Sequence, residues 1–153
     1  MRLLPLILSA ASLVALTFAQ GIDIGAPLAG SAILPGQNLT VEVDRPNSLT
    51  GSEEVAIVIS IVPCETSTCN SPTEDISTNL GPLGVILYNG PYNPQYDSVS
   101  PPDHKPPHQN FTVQVPSWYR SGDSVALAVT HISLVSAGPW VLLEFKNVSL
   151  VVD

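Results

Sequence analysis

Asn38-Leu39-Thr40-Val41-Glu42-Val43-Asp44 decides how the rest of the chain is read. In an extended backbone, Leu39, Val41 and Val43 fall on one face and Thr40, Glu42 and Asp44 on the other, the pattern of a half-buried β-strand. The pattern recurs from Asn110 to Val115, with Phe111, Val113 and Val115 expected inward and Thr112 and Gln114 outward. Between these two segments, Glu54 to Val62 is apolar on both faces, Val55, Ile57, Ile59 and Ile61 against Ala56, Val58 and Val62, which suits a central strand.

Working outward, Ser31–Leu34 is a short strand stopped by Pro35-Gly36. Leu83–Tyr88, Asp123–Leu134 and Trp140–Val152 are further strands. Arg45–Gly51 is a turn segment, while Pro63–Pro82 and Asn89–Gln109 are long loops. Fifteen prolines and ten glycines punctuate the chain, and no long segment carries a 3.6-residue apolar period, so helices are not expected. The last strand has a phase problem: Leu143 and Phe145 share one face, whereas Val148, Leu150 and Val152 share the other. A one-residue bulge near Lys146-Asn147 would bring all five into the core and leave Asn147 outward. The expected fold is all-β, a single immunoglobulin-like or fibronectin-like antiparallel β-sandwich of about seven strands. The two cysteines are too close in sequence for the antibody-type bridge between sheets.

The first residues set the compartment. Met1-Arg2 is a basic start, Leu3–Leu16 is an apolar run, and Thr17-Phe18-Ala19 supplies small residues for cleavage after Ala19. This is the layout of a secretory signal peptide, too short for a permanent span. Residues 1–19 are therefore expected to be removed and 20–153 to form one secreted, extracellular domain. In an oxidising compartment, Cys64 and Cys69 are expected to pair and close a small loop. The sequons at Asn38, Asn110 and Asn147 are expected to carry N-glycans.

Thirteen Asp and Glu face five Lys and Arg, for a net charge of −8. With no basic patch to neutralise phosphates, neither nucleic acid nor an anionic membrane is an expected partner. The chain has no Gly-x-Ser-x-Gly elbow. Its acidic residues fit strand ends and polar faces, and Glu53-Glu54, being adjacent, point to opposite faces of a strand. His104 and His108 lie in a Pro-rich loop that offers only two nitrogens, and His131 reads as a hydrogen-bonded strand histidine. Neither catalytic residues nor a metal or other cofactor is expected. The suggestive surface feature is aromatic: Tyr88, Tyr92 and Tyr96 are spaced four apart among Asn and Pro, and Trp118-Tyr119 sits in a turn. Tyr88 closes a strand and is read as structural. Tyr92, Tyr96 and Trp118 are candidate partner-binding anchors.

Four stretches together carry a family resemblance: Pro35–Pro46, Leu83–Tyr92, Pro107–Pro116 and His131–Pro139. The chain resembles the necrosis-inducing secreted protein family of small fungal effectors, in a form associated with basidiomycetes. The resemblance implies a secreted, non-enzymatic effector that dampens plant pattern-triggered immunity by binding receptor-associated immune kinases of the host. It carries over no catalytic residues. The alternative is a cell-wall polysaccharide-binding module using Tyr92, Tyr96 and Trp118. A monomer is expected in either case.

Overall fold

A computed structural model describes residues 21–48, 50–64, 84–98, 105–135 and 140–153. The expected leader, Cys69, His104 and most of the expected loop from Pro63 to Pro82 lie outside these residues. Among those described there are eight strands and no helix: β1 (Asp23–Ala26), β2 (Ala32–Ile33), β3 (Asn38–Asp44), β4 (Ser52–Pro63), β5 (Val85–Gly90), β6 (His108–Gln114), β7 (Ser124–Val135) and β8 (Trp140–Val152). They form two sheets, a three-stranded one in the order β1-β3-β6 and a five-stranded one in the order β2-β8-β7-β4-β5. All pairings are antiparallel except β2 with β8, which run parallel.

Alternation builds the core between the sheets. Leu39, Val41, Val43, Phe111 and Val113 enter it from β3 and β6 of the small sheet. Ile57, Ile59, Ile61, Val125, Leu127, Val129, Leu150 and Val152 enter it from the large sheet. The small sheet keeps its register from Asn38↔Gln114 to Asp44↔His108 without a shift, so the period-2 reading of both strands holds over their full length. The seven expected strands are present, β3 and β8 with the expected ends and the other five with ends moved by one or two residues, and β1 is an addition. β1 is short, and the shift in its register between Ile24 and Ala26 breaks the alternation that would announce it.

Two local expectations change. The strand expected from Leu83 starts at Val85, because Gly84 has φ 66° and a Cβ there would stand 2.3 Å from the Ile61 carbonyl oxygen. Only glycine fits that approach.

The second change concerns the bulge. β7 and β8 pair without interruption from Ser124↔Val151 to Val135↔Trp140, so Lys146-Asn147 carries no bulge. Val148, Leu150 and Val152 face the core on one phase, whereas Leu143 and Phe145 lie on the outer face, Leu143 being 37% exposed. The register shift is on β4 instead, between Glu54 and Ala56. It turns Val55 out, leaving it 48% exposed, and places Glu54 opposite Ser133, which is fully buried. Asn147 is outward as expected, but by simple alternation.

These positions predict unequal losses. Leu150→Ala should cost about 2–5 kcal/mol, as a fully buried truncation does, and Phe145→Ala distinctly less. Urea denaturation of the two unglycosylated variants checks the order; equal losses would contradict the uninterrupted β8.

Candidate functional site

At one end of the sandwich, β3 ends, β4 begins, β5 ends, β6 begins and β7 meets β8. The bulge in β4 delivers Glu54 into the space between the sheets there. Alternation on β7 delivers His131, and the same phase on β8 delivers Glu144 directly opposite it. His131 is fully buried. Its Nδ1 lies 3.0 Å from Glu144 Oε2, and its Nε2 hydrogen-bonds Glu54 Oε2. Carboxylates only accept, so an imidazole that satisfies both must carry both protons.

Arg45, which follows β3, closes the cluster. Its Nε donates to Glu54 Oε1 at 3.0 Å, its Nη2 to Ser52 Oγ at 2.8 Å and its Nη1 to the Gly21 carbonyl at 3.3 Å. Ser52 Oγ donates to the same Glu54 oxygen at 2.8 Å. The Ile22 amide donates to Glu144 Oε1 at 3.3 Å, and a Cβ at Gly21 would stand 2.7 Å from that oxygen. With His131 protonated, two positive and two negative groups cancel. Tyr92 covers the cluster: its ring meets the imidazole edge-on at 5.4 Å, and its hydroxyl donates to the Val43 carbonyl at 3.0 Å.

The electrostatics follow from these bonds. Burial pushes the Glu54 carboxyl up, but hydrogen bonds from His131, Ser52 and Arg45 outweigh it and hold the group at about 2. Burial pushes His131 down, but Glu144 and Glu54 outweigh it and raise the imidazole above its ordinary 6.5. Burial also pushes the Tyr92 phenol up.

Above this cluster opens a cleft of about 440 Å³. Its walls are Arg45-Pro46-Asn47-Ser48, Thr50-Gly51-Ser52, the Tyr92-Asn93-Pro94 stretch and Pro107, with Glu54 at its base. Arg45 and Glu54 are committed to one another. The outer lining is amide, hydroxyl and proline. Asn47 lines the cleft, and its Nδ2 donates to the Tyr96 hydroxyl, tying the loop after β5 to the loop after β3 at the rim.

The expected anchors separate. Tyr96 is 60% exposed at the cleft rim. Tyr92 is 3% exposed and belongs to the core, so its ring offers no surface to a partner. Trp118 is 66% exposed but lies between β6 and β7, at the opposite end, next to Ser117, the residue that a Cβ at Gly36 would meet. Tyr88 is structural as read: its ring packs 4.7 Å from Phe111 and its hydroxyl donates to the Pro91 carbonyl. His108, expected in a solvated loop, opens β6 and is buried beside the Pro106 carbonyl. Cys64 follows β4, its amide donating to the Ser124 carbonyl at 2.8 Å; its expected partner Cys69 is outside the described residues. Asn38 and Asn110 both project from the outer face of the small sheet.

The sequence reading missed Arg45, Glu54, Glu144 and Trp140, which is 61% exposed at the cleft end. Glu144 had a signal: it is a charged residue that interrupts the apolar run Leu142-Leu143-Glu144-Phe145.

Residues 17–150 match the Nis1 family, and the chain belongs to it. The expected likeness to a family of effector type is thus shown at the level of the family. No curated protein matches the chain.

The paired shifts set a pH window. His131, raised on folding, stabilises fully below about 6.5, and that contribution is lost as pH rises through its folded value. Glu54, lowered on folding, stabilises above about 4.5, its ordinary value, and loses that contribution as pH falls toward about 2. Urea midpoints should therefore be highest between these limits and decline on both sides. His131→Gln, which removes the cationic partner that two largely buried carboxylates share, should cost about 3–5 kcal/mol and remove the alkaline decline. A flat profile for the native protein, or an unchanged alkaline limb in the variant, would refute the protonated bridge.

Proposed function

We propose that the protein is a secreted, non-enzymatic effector that acts by contact with a host protein through the cleft end of the sandwich. The observation that carries this is the family match over residues 17–150, which takes in all of the described residues but the last three. The cleft geometry supports contact over chemistry. Arg45, Glu54, His131 and Glu144 satisfy one another in a neutral cluster, so their bonding serves to fix the loops. What they leave facing outward is a rigid rim of amide, hydroxyl, proline and tyrosine, with Trp140 at the same end. Recognition loops on a rigid strand scaffold commonly work this way.

The finer reading follows from the resemblance. The host partner is a plant receptor-associated immune kinase, and the outcome of binding is suppression of pattern-triggered immunity. We also infer that the sandwich is of the immunoglobulin-like type, since an outer strand order of β1-β3-β6 against β2-β8-β7-β4-β5, with β2 parallel to β8, matches that arrangement. The disulfide between Cys64 and Cys69 belongs to this reading. It would close a small loop after β4 and contribute locally.

The sugar-binding alternative needs aromatic rings that share a plane. Tyr96 and Trp118 stand at opposite ends and Tyr92 is buried, so the three do not form a platform.

The test is the oxidative burst that microbial patterns trigger in plant tissue. The secreted protein should blunt it. Tyr96→Ala and Trp140→Ala should each weaken the effect, at about 2 kcal/mol of lost binding for a true anchor, while Trp118→Ala at the far end should not. An untouched burst together with sedimentation on chitin or glucan would replace the effector reading with the sugar reading.

A further inference from the structure

Phe145-Lys146-Asn147-Val148-Ser149 places an aromatic ring two residues before a glycosylation sequon, inside the uninterrupted strand β8. Residues two apart on a strand share a face and stand about 6.5–7 Å from one another. Here the shared face is the outer one. Val148, Leu150 and Val152 turn into the core on one phase, and Glu144 reaches the buried His131 on the same phase. Leu143, Phe145, Asn147 and Val151 therefore turn out on the other.

The surroundings fit a sugar. Asn147 pairs with Ala128 and Phe145 with Thr130 on the neighbouring strand β7, so the residue across from Asn147 carries only a methyl group, itself buried among its neighbours. The same face carries Ile132 and Leu134 opposite Leu143 and Val141, and Val141 is 66% exposed. An apolar face of this kind on a chain that works outside the cell calls for a cover. An N-linked N-acetylglucosamine has an apolar flank of C–H groups and an acetyl methyl, and an aromatic ring is a suitable seat for both.

We propose that Asn147 carries an N-glycan whose first sugar packs on Phe145, so that the chain's own glycan is the cover of the outer face of the five-stranded sheet. This rests on the secreted reading, because the sugar is added in a secretory pathway. The glycan on this face and those expected at Asn38 and Asn110, on the outer face of the opposite sheet, would leave the ends of the sandwich as its bare surface. The cleft lies at one of them.

The experiment uses the full chain secreted from a eukaryotic host. Glycopeptide mass spectrometry reads occupancy at each sequon. NMR on protein trimmed to one N-acetylglucosamine per site reads contact between the acetyl methyl and the Phe145 ring. Ser149→Ala, which removes the sequon and keeps Asn147, should lower the thermal midpoint by about 3–5 °C and raise binding of an apolar dye. Phe145→Leu should abolish most of the difference that Ser149→Ala makes. Occupancy at Asn147 with a sugar-to-Phe145 contact supports the proposal even if a variant fails to fold. An empty Asn147 in a protein glycosylated at Asn38 and Asn110 overturns it and leaves secretion intact. A chain retained in the cell with no sequon occupied overturns both. An occupied Asn147 with no contact to Phe145, or a dimer sealed through this face, overturns the packing.

Discussion

A protonated imidazole held between two carboxylates organises one whole end of this protein. His131 is fully buried, and a charge so placed is tolerable only if every proton finds an acceptor and every acceptor a donor. Glu144 and Glu54 take the two ring protons, Arg45 and Ser52 take the remaining oxygen of Glu54, and the Ile22 amide takes that of Glu144. Five separate pieces of chain meet in this cluster: the stretch before β1, the loop after β3, and strands β4, β7 and β8. The β4 bulge is part of the same solution. Regular alternation would put Val55 inside and Glu54 in solvent, which would strand one imidazole proton. One extra residue in the strand exchanges them, at the expense of exposing a valine.

Much of the fold was legible because period-2 patterning is a direct consequence of strand geometry. β3 and β6 were readable residue by residue, since each has one dry face and one wet face and their register runs without a break. β4 was readable as a central strand because both of its faces are apolar, and β7 was readable as a strand though not by its place in the sheet. The reading failed where polar groups are buried. The apparent phase break in β8 implies a backbone irregularity only if apolar residues alone define the inner face. In fact the strand is regular, and Glu144 occupies an inner position because His131 needs it there. The backbone irregularity is on β4, where Val55, Ile57, Ile59 and Ile61 form an unbroken apolar series that hides it. No pattern of single residues could reveal it. The information lies in a pairing between residues 77 positions apart in the chain.

The candidate site was less legible for the same reason. Tyr92 and Tyr96 look alike in sequence, each with an amide neighbour and a proline within two residues, yet one is a lid over the charged cluster and the other a rim residue. What separates them is the position of His131, whose imidazole the Tyr92 ring meets edge-on. Trp118 looked like a companion to the tyrosines because both lie in predicted connections. Antiparallel topology sends successive connections to opposite ends, so the loop before β6 and the loop after it cannot share a surface.

Neutralising the cluster also shapes what the cleft can recognise. Its two nearest charges face inward and cancel, so an incoming group meets amides, hydroxyls and proline rings at the rim in place of a bare guanidinium. Such a rim discriminates by shape and hydrogen-bond pattern, with little long-range pull. The whole chain, formally −8 with its histidines neutral, favours cationic surroundings at a distance. A protein partner with a basic periphery and a polar, uncharged centre satisfies both conditions at once. A neutral polysaccharide would suit only the uncharged rim, and it would also need the aromatic platform that this topology divides between the two ends.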